Sequence, residues 1–338
     1  MPRSARVQYT GAVYHVMCRG DRREEIFREE DDRLLMLETL EETCARTGFL
    51  VHAYVLMPNH YHLLLETPEP NLVAGMKWFQ GTYTQRFNAR HRLSGHLFQG
   101  RYKAIPVEAD RADYFRRVSD YIHLNPARAG LLVGNQPRLI DYRWSSYPGF
   151  VGGGELRPGL VRTRVFAALE LPDEGSGSRA RYRSYMEGRT LEIVQGELSK
   201  EEAERCDEVR RGWYFGSDEF REQLLDRLDQ AVCGRRRDSY CSEGLSLHDE
   251  RAATEQIRAA CKALKATVTS LRKRRQNDPL KQAVAWWVKS RTVVSDYWVC
   301  EQLAMGNRVN VSRAVGAFRA PADPLRRRLR DLLYKCTD

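Results

Sequence analysis

Two histidines one residue apart, His60 and His62, follow Pro58-Asn59 and precede Leu63, Leu64, Leu65 and Glu66. Pro-Asn marks a turn, and the apolar run after it reads as a strand, on which alternate residues share a face. His60 and His62 therefore project the same way, with Leu64 and Glu66 beyond them. Two imidazoles so placed can grip one divalent cation through ring nitrogens. Satisfied core or surface histidines also occur at this spacing, and spacing alone does not choose between the two. A second constellation falls on the helix expected over 113–125, where Tyr114, Val118, Tyr121 and Asn125 recur at steps of three or four and line one face. Tyr121 offers a hydroxyl, and Asn125 a carbonyl oxygen suited to a hard cation. By spacing alone, a packed core aromatic is the favoured reading of Tyr121. Glu66 reads as a strand-end carboxylate in solvent, and His123, two residues from Tyr121, as a non-ligand pointing elsewhere.

The elements that must position these side chains follow in a definite order. Val13 to Cys18 is β-prone and closes at Arg19-Gly20-Asp21. Leu34, Leu37, Leu40 and Cys44 recur at helical spacing until Gly48. Phe49 to Met57 and His60 to Glu66 are strands about the Pro58-Asn59 turn. Asn71 caps a helix to about Ala89, with Met76, Phe79, Tyr83 and Phe87 along one face. Leu97 to Val107 is a fourth strand region, interrupted at Gly100. Asp110 caps a helix that ends near Asn125, because Pro126 disfavours helix in the residue before it. The order β-α-β-β-α-β plus an added helix predicts an α+β fold of the ferredoxin-like, split βαβ kind. Its sheet is antiparallel, carries helices on one face, and leaves the other face to a site.

Beyond Tyr147 the character changes. Gly152-Gly153-Gly154 and the stretch 173–178 have linker composition, 191–232 reads as helical, and Gly234 to His248 is a second polar connector. From Arg251 the chain reads helical as far as Ala320-Pro321. This divides it into an N-terminal domain over 1–150 that carries the candidate site residues, a linker and helical middle region over 151–250, and a basic helical domain over 251–338.

With 338 residues, 42% hydrophobic and 30% charged, the chain is long enough for two or three packed domains, which excludes wholesale disorder. The excess charge is confined. Residues 251–338 hold 19 Lys and Arg against 7 Asp and Glu, a net +12, while the preceding 250 residues net −2. Concentrated basicity is the footprint of a polyanion, usually nucleic acid. No apolar run is long enough to span a bilayer, residues 1–10 lack an apolar signal core, and the eight cysteines form no C-x-x-C pair. Together these predict a cytoplasmic, nucleoid-associated protein without a membrane partner.

His60-Tyr61-His62 resembles the histidine–hydrophobe–histidine (HUH) motif of single-strand DNA endonucleases, and the segment Tyr121 to Gly130 resembles the one bearing their nucleophilic tyrosine. With Tyr14 to Gly20, Phe98 to Tyr102 and Arg143 to Tyr147, the match is to single-tyrosine HUH transposases, in the branch of REP-associated tyrosine transposases, over roughly Gly11 to Tyr147. The resemblance implies that Tyr121 attacks a phosphodiester to give a 5′-phosphotyrosine link and a free 3′ hydroxyl. It further implies that His60, His62 and Asn125 hold Mg2+ or Mn2+. Arg19, Arg101, Lys103 and Arg128, all beside motif residues, form a candidate groove for the substrate strand, with Trp144 and Tyr102 placed to stack on bases.

In the basic tail, a helix over 296–305, a turn at Gly306-Asn307-Arg308 and a last helix capped by Asn310 read as helix-turn-helix. The run Leu303 to Val315 is similar to the DNA-binding segments of the replication initiator DnaA and Trp repressor, which points to Arg308 and Arg313 as duplex contacts. The sequence thus predicts a transposase acting on single-stranded or hairpin DNA, as a monomer or homodimer, with duplex DNA held by the tail. The alternatives are a domesticated DNA-binding regulator that no longer cuts and an RNA-processing nuclease.

Overall fold

The computed structural model describes residues 6–132, 138–172, 174–196, 208–210, 212–232, 243–319, 321 and 323–334. They divide into two compact units, with the boundary between Leu224 and Leu225.

The first unit is built on strands β1 (Ala12–Arg19), β2 (Leu50–Met57), β3 (His60–Thr67) and β4 (Lys103–Val107), in the order β2-β3-β1-β4 and antiparallel throughout. This is the expected ferredoxin-like sheet. Helices α1 (Glu30–Thr47) and α2 (Leu72–His91) cover one face, packing Met36, Leu37, Met76, Phe79 and Tyr83 on Tyr14, Val16, Tyr61 and Leu63. Gly48, left-handed at φ 73°, ends α1.

The opposite face is not left open. Strand β2 is apolar on both sides, with Tyr54 and Leu56 toward α1 and α2 and Ala53, Val55 and Met57 on the other face, and a strand with that pattern needs cover on both. Helix α3 (Ala112–His123) supplies Phe115, Val118 and Ile122 against Val13, Val55 and Leu64. The short helices α4 (Asn125–Arg128), α5 (Tyr147–Val151) and α6 (Thr163–Ala167) and the long α7 (Ser176–Gln195) complete that layer, with Tyr182 and Met186 of α7 in the core.

Several boundaries differ from expectation. The fourth strand region is split: Gln99 N donates to Arg19 O at 2.9 Å, so its first part joins the turn after β1, and Gly100 (φ 70°) swings the chain into β4. Arg111, not Asp110, stands at the N-cap of α3. Helix α7 begins inside the expected linker at 173–178, since Gly and Ser are helix-start residues as much as linker ones. The middle region is itself divided: residues 151–224 belong to the first unit, and only the remainder goes with the tail. The Gly234-Arg235-Arg236-Arg237 part of the second connector lies outside the described residues, but its end is helical from Glu243.

The boundary between the units falls within α8 (Asp218–Val232). The second unit adds α9 (Glu243–Ala263), α10 (Val268–Lys273), α11 (Pro279–Arg291), α12 (Asp296–Leu303), α13 (Arg308–Arg319) and α14 (Pro324–Tyr334). They enclose Ala283, Val284, Trp287, Leu303, Val311 and Phe318. Buried Lys281 ties the turns together, donating to the carbonyls of Arg272, Arg274 and Ala304. Helix α12 stops at Leu303, short of the expected 305, because Ala304 turns left-handed at φ 51°. Asn307 caps α13 in place of Asn310: Val309 N donates to Asn307 Oδ1 at 3.1 Å, while the Asn310 amide donates to Met305 O at 2.7 Å. No described helix is long and apolar enough to cross a membrane.

Candidate active site

Pairing across the sheet sets out the site. Arg19 lies opposite His60 and Met17 opposite His62 on β1, and Lys103 of β4 lies opposite Met17. Directly paired residues share a face, so Arg19, His60, His62 and Lys103 all point toward the α3 side. Gly20 makes the exit of β1 possible, for a Cβ there would run into the Glu24 carbonyl.

Tyr121 comes from the last turn of α3. Its carbonyl receives two side-chain donors, Asn125 Nδ2 and Arg128 Nη1, each at 3.1 Å. Carbonyls at a helix end lack intrahelical partners, so these two bonds stabilise the turn that Pro126 interrupts. They also set the Asn125 amide with its nitrogen spent and its oxygen as the remaining acceptor. The Tyr121 ring meets His62 edge-on with centroids 5.6 Å apart, and the Arg128 guanidinium lies 5.2 Å from its centre. Tyr121 and Asn125 each keep 8% of their surface exposed, and both open onto the same cleft.

That cleft, of about 1040 Å3, is also lined by His60, His62, Arg19, Arg101, Lys103, Arg128 and Arg210. Five cationic side chains and no carboxylate stand among its described lining residues. Low-dielectric walls with charge of one sign concentrate a polyanion.

Both histidines have a hydrogen-bond partner at Nδ1. His60 Nδ1 lies 2.8 Å from Asn59 Oδ1, and the Asn59 amide is oriented by its own Nδ2 donating to Arg23 O at 3.0 Å. His60 therefore donates from Nδ1 and keeps Nε2 as a lone pair. His62 Nδ1 lies 2.8 Å from Nε2 of His15, whose Nδ1 meets Val209 O at 3.0 Å. Burial, aided by the nearby Arg19 charge, lowers His60 to about 4. Burial and then the neighbouring His15, His60, Arg19 and Arg210 push His62 well below the ordinary imidazole range.

A divalent cation suits this donor set. It consists of two neutral imidazoles with centroids 5.1 Å apart, their Nδ1 atoms already committed, and an amide oxygen on the same cleft. Among the described residues no group of three His, Cys, Asp or Glu could hold a metal, and the cleft offers the amide side chains of Asn125 and Gln99 beside the two imidazoles.

Other expected site residues lie elsewhere. Trp144 sits between the Arg33 and Arg143 guanidinium groups, at 5.3 and 4.5 Å, and packs on the α1–α2 side of the sheet. Tyr102 is buried under Arg6, 3.8 Å from its ring centre. Neither lines the cleft. The Arg143–Tyr147 segment instead extends the sheet at β2, where Leu56 N donates to Trp144 O and Ser146 N to Tyr54 O. Glu66 is not a solvent carboxylate, for it accepts from His52 at 2.8 Å and from Arg164 at 2.7 Å. His123 is buried between Tyr182 Oη and Ser146 Oγ, away from the cleft. Arg308 and Arg313 belong to the second unit and are exposed on α13.

Sequence reasoning missed His15, Val209 and Arg210. The first had a signal: on a β1 paired with β3, it shares the face of His62. The other two had none, since the middle region shows no motif.

The family model described as Transposase IS200 like matches residues 8–125. Among solved structures, a REP-associated tyrosine transposase bound to a REP hairpin is similar at 20% identity with a TM-score of 0.37, over 47% of this chain and 90% of that one. No curated protein matches the chain.

Proposed function

We propose that the protein, whose residues 8–125 match the IS200-like transposase family model, cleaves and rejoins single-stranded or hairpin DNA by covalent catalysis through Tyr121. One observation carries the reading. A tyrosine set edge-on against a ligand-ready histidine opens onto a cleft with five cations and no carboxylate among its described lining residues.

Arg19, Arg101, Lys103, Arg128 and Arg210 bind and orient the phosphodiester backbone. The Tyr121 phenol attacks phosphorus. The bond from Oη to phosphorus forms, the bond from phosphorus to the 3′ oxygen breaks, and the 3′ oxygen leaves as a hydroxyl after taking a proton. Attack of a 3′ hydroxyl on the phosphotyrosine reverses the step and needs no nucleotide cofactor, because the link conserves the phosphodiester. His60, His62 and Asn125 would hold Mg2+ or Mn2+, which when bound draws charge from the scissile phosphate. In the second unit, the exposed α13 with Arg308 and Arg313 would contact duplex DNA beside the cleaved element.

The test is incubation of labelled single-stranded DNA with wild type and Tyr121→Phe. The wild type should form a covalent adduct resistant to denaturant, and the phenylalanine variant, which loses only the hydroxyl, should form none while staying folded. An adduct with the variant would move the nucleophile elsewhere. DNA binding without cleavage by the wild type, with either cation, would leave the regulator reading in its place.

A further inference from the structure

We propose that His15 is the positioning residue of the cation site, its ring relaying a hydrogen bond from the Val209 carbonyl that keeps the Nε2 atom of His62 deprotonated and free to ligate. The inference rests on the reading of His60 and His62 as cation ligands.

One partner in this chain of hydrogen bonds has an unambiguous role. A main-chain carbonyl can only accept, so His15 Nδ1, 3.0 Å from Val209 O, carries a proton. His15 is wholly buried, and its hydrogen-bond partners are a carbonyl and a second imidazole, neither of them an anion. A buried imidazolium with no compensating anion is costly, so the ring is neutral and its Nε2 is an acceptor. His62 Nδ1, 2.8 Å away, must then be the donor. A neutral imidazole with its proton on Nδ1 presents Nε2 as a lone pair. The two rings also stack, with centroids 5.0 Å apart and planes 26° from parallel, which holds His62 in orientation as well as tautomer.

The anchor lies far along the chain. Val209 is 194 residues from His15 and outside the family match at 8–125. Its neighbour Arg210 lines the cleft, and Lys103 Nζ donates to Arg210 O at 3.0 Å. A segment with no catalytic motif thus completes the site: it ends the hydrogen-bond chain behind one ligand and adds a cation in front of it.

The experiment uses full-length protein. Nitrogen-15 NMR of metal-free, histidine-labelled protein, with His62 assigned through His62→Ala, should show His62 with its proton on Nδ1. Mn2+ titration by calorimetry should give an affinity that falls when His60 or His62 is replaced by Ala. His15→Leu removes the acceptor and should weaken Mn2+ binding by about 10- to 100-fold, the usual effect of losing a partner behind a metal ligand, and shift His62 away from the Nδ1–H form. His15→Gln restores an acceptor near the lost Nε2 and should recover most of that affinity. If His62 in the wild type carries its proton on Nε2, the proposal fails, and this holds even should the leucine variant not fold. Equal Mn2+ affinity for wild type and His15→Leu, with His62 unchanged, also overturns it. Mn2+ binding indifferent to both His60→Ala and His62→Ala overturns the ligand reading instead.

Discussion

A proton on the wrong nitrogen of His60 or His62 would remove a ligand as surely as deleting the side chain. On the proposed reading of the pair as cation ligands, Asn59 and His15 matter as much to the site as the pair itself. His60→Ala or His62→Ala should abolish cleavage but leave DNA affinity nearly intact, because affinity comes mainly from cations on phosphates. Excess chelator should mimic both, and Asn125→Ala should weaken cleavage without abolishing it. Full cleavage in chelator would remove the cation from the mechanism. One residue before Tyr121, Asp120 is buried and accepts from Tyr185 Oη at 2.5 Å. Burial raises its carboxyl from 3.8 to about 6, against the opposing pull of Tyr185, Arg116, Arg189 and Arg128. A raised acid holds its proton in the folded state where the unfolded chain has released it, so its ionisation destabilises the fold as pH rises from about 4 to about 6. Above that window the cost is constant, on the order of 3 kcal/mol. Asp120→Asn keeps an acceptor for Tyr185 and removes the titration. Urea unfolding at pH 4.5 and 7.5 should show wild type losing stability relative to the variant at the higher pH. A pH-independent difference would remove Asp120 as the source.

At the level of elements, the sheet was legible because its signals are local. Gly48, Pro58-Asn59 and Pro126 punctuate runs whose periods identify strand and helix. The cover on its second face was not. Val209 stands alone among charged residues and Phe215 ends a short aromatic run with no strand periodicity, and their partners, His15 and Pro106, lie more than 100 positions away. Phe215 takes up the free edge of β4, its N–H donating to Pro106 O at 2.8 Å and its carbonyl accepting from Glu108 N at 2.9 Å. Proline tolerates only an edge strand, so Pro106 hinted at the edge but not at what pairs with it. The Phe215 ring also meets Tyr114 edge-on at 5.2 Å. Phe215→Ala should therefore cost about 3 kcal/mol, read as a lowered urea midpoint with unchanged slope. A loss below about 1 kcal/mol would mean that the segment only rests on the sheet. Trp144 shows the converse failure. A tryptophan next to an arginine suits base stacking and burial between guanidinium groups equally, and only the register of Leu56 on Trp144 decides for the second.

For the whole molecule, the division of labour follows from where charge and core lie. The net +12 belongs to residues 251–338, whereas Tyr121, His60, His62 and Asn125 lie in the first unit. The core of that unit includes Tyr182, Met186, Val209 and Phe215, so it is incomplete at residue 150. A chain ended there should expose that core and aggregate. One ended after Val232, at the close of α8, keeps every residue of the first unit. It should still cleave a single strand while losing most affinity for flanking duplex. Log affinity falls with log salt at about 0.9 per phosphate neutralised, so removing the tail should flatten that slope by several units. Within the tail, Arg313 is exposed on α13, and Arg313→Ala should lower discrimination between duplex sites by roughly 1–3 kcal/mol if it contacts a base edge. Binding isotherms at several salt concentrations, on duplex and single-stranded probes, separate the two roles. Equal duplex affinity and equal slope for the full and shortened chains would place duplex binding in the first unit, and the cleft would then have to account for all of the protein's affinity for DNA.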